Sequence, residues 1–88
     1  MTTTIRDQIA GAREMAKHHR AQAAALRKQR ADIRRRCKDR GRWPYADRLE
    51  ILRLDMAIGE RQRAALQHDS RARELRAQLG PTTTKGNA

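Results

Sequence analysis

The sequence predicts an all-α fold, an antiparallel two-helix hairpin of coiled-coil type, and three observations carry that prediction. Positions 5, 9, 12, 16, 19, 23, 26, 30, 33 and 37, spaced alternately four and three apart, read Ile, Ile, Ala, Ala, His, Ala, Leu, Arg, Ile, Cys. Positions 47, 51, 54, 58, 61, 65, 68, 72, 75 and 79 repeat the spacing and read Asp, Ile, Leu, Ile, Arg, Ala, His, Ala, Leu, Leu. Such a repeat, apolar at most positions, keeps one seam of each helix against a partner helix. Between the two sets lies the stretch Gly41-Arg42-Trp43-Pro44, punctuated as a turn.

The first helix is expected over 5–39. Thr4 followed by Asp7 has the layout of a capping box, with Asp in place of Glu or Gln. The body is rich in Ala, Arg, Gln and Lys, all strong helix formers, and no proline interrupts it before position 44. Gly11 in mid-helix costs about 1 kcal/mol relative to Ala, too little to break a helix of this length. Gly41 suits the left-handed residue that ends a helix. The turn is expected over 40–44, with Pro44 in the first turn of a second helix running 45–79. Gly80-Pro81 is a second stop signal, and 81–88 reads as a disordered tail beyond a single domain of 1–80.

So short a connection forces the helices antiparallel. Folding about position 42 pairs Cys37 with Asp47, Ile33 with Ile51, Leu26 with Ile58, Ala12 with Ala72 and Ile5 with Leu79. The polar breaks His19, Arg30, Arg61 and His68 then face Ala65, Leu54, Ala23 and Ala16, with stems in the seam and heads reaching water.

The second helix has more apolar surface than one seam uses. Tyr45, Leu49, Leu52, Met56 and Leu66 form a second stripe beside Ile51, Leu54 and Ile58. A helix apolar on two sides is buried on two sides, so this stripe is the candidate interface for a second copy or another protein. A homodimer forming a four-helix bundle is the expectation, because two-fold dimers are the commonest assembly. The 88 residues contain one Trp, one Tyr and no Phe. They offer little to build a cavity from, and the single cysteine excludes an internal disulfide. Self-association is the remaining source of stability. No apolar run has membrane-spanning length, and the polar start lacks a signal-peptide core, so a cytoplasmic protein without a membrane partner is expected.

The net charge is +11. Its densest part is Arg27–Arg42, where nine basic residues stand against Asp32 and Asp39. The basic tip comprises Arg34, Arg35, Arg36, Lys38, Arg40, Arg42 and Trp43, and it points to an anionic partner. Trp43-Pro44-Tyr45 holds both aromatics, either as an anchor for a macromolecule or as a plug closing the hairpin end. The run 34–38 winds around the helix, as a surface contacting nucleic-acid backbone would, and as a solvated helix end also would. His18, His19, His68 and Cys37 do not have metal-ligand spacing, and Cys37 in the seam reads as a small buried hydrophobe. Neither a Gly-rich phosphate loop nor a nucleophile–base arrangement is present. No catalytic, cofactor or metal site is expected, and the chain does not read as an enzyme.

Over Ile5 to Leu79 the hairpin architecture resembles the small helical-hairpin inhibitor proteins of transposable bacteriophages, of the quorum-sensing anti-activator and twitching-inhibitory type. The resemblance lies in architecture, not in a motif. It implies a dimer that binds and inhibits a host transcription activator or pilus-assembly ATPase, here through the second-helix stripe and the basic tip. The expected partners are therefore a second copy and a larger host protein with an acidic surface. The alternative is a nucleic-acid-binding hairpin dimer contacting phosphates with Arg27–Arg42.

Overall fold

The structure, a computed structural model, describes residues 3–79; the tail expected at 81–88 lies outside them. Two α-helices account for nearly all of it, α1 over Ile5–Arg40 and α2 over Tyr45–Leu79. No strand occurs among the described residues.

The start of α1 is set by Thr4, whose backbone is extended and whose hydroxyl accepts a hydrogen bond from the Asp7 N–H at 3.0 Å. That satisfies one of the N–H groups a helix leaves without an internal partner. At the other end Gly41 has φ 66°. Its N–H donates to the Lys38 carbonyl, and the Arg42 N–H donates to the Cys37 carbonyl, both at 3.1 Å. This is the Schellman arrangement, and it lets α1 run one residue beyond the expected end. Pro44 lies just before α2, whose start at Tyr45 is the expected one. Its carbonyl accepts the first helical bond, from the Arg48 N–H at 3.0 Å. Its missing N–H costs nothing there either.

The two helices pack into a flat, elongated hairpin with extents of 62 × 33 × 13 Å. All ten buried residues among those described are seam residues: Ile9, Ala12, Ala16, Ala23 and Cys37 on α1, and Leu54, Ile58, Ala65, Ala72 and Leu75 on α2. At the open end Ile9, Ala12, Ala72 and Leu75 form one cluster, flanked by Ile5 and Leu79. Midway the seam narrows to alanine, and Ala16 and Ala23 are almost wholly enclosed.

The polar breaks behave differently from the expected layer pairing. His19 does not end beside alanine alone. Its ring stacks on His68, with centroids 5.4 Å apart and planes inclined by 14°, and its Nδ1 lies 3.4 Å from Arg61 Nη1. A seam residue in an antiparallel pair sits between two rungs of the opposite helix, so His19 at the level of Ala65 meets residues four before and three after it. The small side chains of Ala16 and Ala23 leave the space in which these polar groups gather.

Candidate nonpolar and basic interaction surfaces

Register is fixed across the hairpin by three ion pairs, each from an arginine of α1 to an aspartate of α2. Arg20 meets Asp69 at 2.9 Å, Arg36 meets Asp47 at 3.5 Å, and Arg30 meets Asp55. Asp47 also accepts from the Cys37 thiol at 3.5 Å. Burial and the neighbouring carboxylate push the Cys37 thiol above its ordinary range, toward the protonated, unreactive form. Desolvation, then the charges of Arg61, His68 and His18, lower the His19 pKa below 6.5, while a hydrogen bond with Gln22 opposes them. Among the described residues no group of three or more His, Cys, Asp or Glu could hold a metal ion. No helix among them is long and apolar enough to cross a membrane.

The α2 stripe lies outside this packing. Tyr45, Leu49, Leu52, Met56 and Leu66 are between 41 and 71 % exposed. They fall at positions 45, 49, 52, 56 and 66 of a second four–three repeat whose remaining members are Gly59 and Arg63. Each position lies two residues before a seam position, about 160° around the helix at about 100° per residue, so the stripe faces away from α1. Leu66 also borders a groove of ≈ 400 Å³ between the helices, lined by Arg20, Ala23, Arg27, Gln62, Ala65, Leu66 and Asp69.

At the tip the basic residues divide. Arg35 is paired with Asp32 at 3.2 Å and Arg36 with Asp47, while Arg34, Lys38, Arg40 and Arg42 have no acidic partner among the described residues. Trp43 remains 45 % exposed. The ring therefore does not serve as a full plug, and Cys37 is covered by the seam itself. Tyr45 carries the Arg48 guanidinium 5.8 Å above its ring.

The structure also exposes a surface that a search for dense charge passes over. One step around α1 from the seam, positions 6, 10, 13, 17, 20, 24, 27, 31, 34 and 38 read Arg, Ala, Arg, Lys, Arg, Ala, Arg, Ala, Arg, Lys. All ten are exposed. Five arginines recur every seven residues, Lys17 lies between them and Lys38 beyond the last, and the lane holds no acid. The seven-residue spacing was the signal, diluted in the sequence by the acids of other faces. Arg20 and Arg27 belong both to this lane and to the groove wall. No protein-family model, no curated protein and no solved structure matches this chain.

Proposed function

We propose that the chain is a non-enzymatic protein-binding modulator, a dimeric hairpin of the phage-inhibitor type that works in the cytoplasm. It covers and blocks an acidic functional surface of a larger host protein, a regulator or an ATPase. The observation that carries this reading is the exposed stripe of α2. Five large apolar side chains lie on one helix, over about 32 Å from Tyr45 to Leu66 at 1.5 Å per residue. Scattered apolar residues are ordinary on a surface, but Tyr45, Leu49, Leu52 and Met56 follow one another without a break, with Leu66 further along beyond Gly59 and Arg63, and such a row is the mark of an interface. The basic tip supplies the charge that steers and orients an acidic partner. Enzymatic readings have less support: the groove is open, and its polar lining is an ion pair, one further arginine and a glutamine.

The test is the double substitution Leu52→Asp with Met56→Asp. Both side chains are more than half exposed, so the hairpin itself is retained. Light scattering after size exclusion is expected to show a dimer for the wild type and a monomer for the variant. A wild-type mass equal to one chain would remove the dimer. An unchanged dimeric mass for the variant would remove the stripe as its interface.

A further inference from the structure

The lane on α1 has no part in the proposed dimer interface, and the groove beside it meets the α2 stripe only at Leu66. The lane is straight, because a four–three repeat follows the winding of the hairpin. From Arg6 to Arg34 it extends about 42 Å at 1.5 Å per residue, with an arginine about every 10.5 Å. Arg20 is paired across the hairpin with Asp69, but Arg6, Arg13, Lys17, Arg27, Arg34 and Lys38 have no acidic partner among the described residues. The lane has apolar ground as well as charge. Ala10, Ala24 and Ala31 separate its cations, Ala23 and Ala65 floor the groove, and Leu66 forms part of the far wall. Leu52 is two heptads before Leu66, on the same side of α2.

We propose that this face seats a third helix, an acidic amphipathic helix of a partner protein lying along the groove as in a three-helix bundle. Its apolar residues pack on Ala23, Ala65 and Leu66, and its carboxylates, at seven-residue spacing, meet the arginines of α1. This rests on the protein-binding reading above and specifies the partner's chemistry. The period decides for a helix, because the seven-residue repeat of a helical partner has the same rise as the lane. Phosphates along one strand of a DNA duplex recur every ~3.4 Å of axis and present no apolar surface to match the alanines and leucines. A second copy is excluded as occupant by charge. The chain has no acidic lane to offer: Asp69, the acid that lines the groove, is already paired with Arg20, and Asp55, on the same side of α2 two heptads before it, with Arg30. A symmetric copy would set arginines against arginines.

The experiment uses the full-length chain and a fluorescent four-heptad peptide with leucine at a and d and glutamate at e and g. Glutamate repulsion disfavours self-pairing of the peptide, so anisotropy reads binding to the hairpin. Saturable binding at one peptide per chain is expected. Arg13→Glu with Arg27→Glu is expected to weaken it by at least about tenfold, since each reversal sets like charges together. Lys28→Glu with Arg42→Glu, which changes the net charge equally but lies off the lane, is expected to change it by less than about threefold. All four side chains are exposed, and far-UV circular dichroism verifies that both variants fold. Absence of binding, equal losses in the two variants, or equal binding of a scrambled peptide of the same composition would overturn the proposal. So would a DNA duplex that binds more tightly than the peptide and loses affinity selectively in the lane variant, which would make the face a nucleic-acid site. A dimer that becomes monomeric with Leu52→Asp and Met56→Asp, together with failure of the peptide, would sink this inference and leave the stripe standing.

Discussion

His19 shows how one side chain can link the seam to pH. It is half-buried among Arg61, His68 and His18, and desolvation first, then those charges, hold its pKa below 6.5. As the pH falls the unfolded chain takes up the proton before the folded hairpin does. The group's contribution to stability is therefore complete above about pH 6.5 and is lost as the pH falls through the lower folded value. The expected outcome is a melting temperature that drops on acidification from about pH 7.5 to 5.5, and drops less in His19→Gln, which cannot charge. Equal pH slopes for the two proteins would mean that His19 is not linked to folding. Protonation would also set a cation against Arg61 within the seam, so a loosened middle of the hairpin is the accompanying structural effect.

At the scale of the helix, the alanines of the seam determine how closely α1 and α2 approach. Ala23 is 1 % exposed, whereas Ala24, one residue on, faces solvent. Enlarging the first forces the helices apart or drives side chains off their rotamers. Ala23→Leu is expected to destabilise by about 1–3 kcal/mol in urea unfolding. Ala24→Leu is expected to stay within about 0.5 kcal/mol of the wild type. Equal effects would mean that the central seam is loosely packed. The same periodicity explains why the helices were legible in the sequence. Every buried residue falls on the four–three repeat, and Thr4 and Gly41 cap α1 by local chemistry that needs no tertiary context. The exposed stripe was legible too, because Leu49, Leu52 and Met56 crowd a segment with few polar residues. Folding the two seams together already brings His19 and His68 near each other, but the stacking of their rings was not legible, since it depends on the stagger between rungs of two helices and on the volume the alanines leave. The arginine lane was hidden for another reason. Its spacing is regular, but the densest charge lies at the tip and draws attention away from a face that gains meaning only beside the groove.

For the whole molecule the balance is between a thin core and a large like charge. Alanines fill half of the ten buried seam positions among the described residues, no phenylalanine is present, and the net charge is +11. A single hairpin of this composition gains little from burial, because short chains cover a smaller fraction of their surface on folding. The three cross-hairpin ion pairs set register more than they stabilise, being partly exposed. Association through Tyr45, Leu49, Leu52 and Met56 would add the missing burial, and mass action then ties stability to concentration. The wild-type melting temperature is accordingly expected to rise measurably over a roughly hundredfold increase in protein concentration. In Leu52→Asp with Met56→Asp it should be lower and independent of concentration. Added salt should raise the melting temperature of both by screening the repulsion among unpaired arginines, so the concentration series is run at fixed ionic strength. A wild-type melting temperature that stays constant across the series would mean that a lone hairpin is stable with its alanine seam alone. The stripe would then be free for a partner other than a second copy.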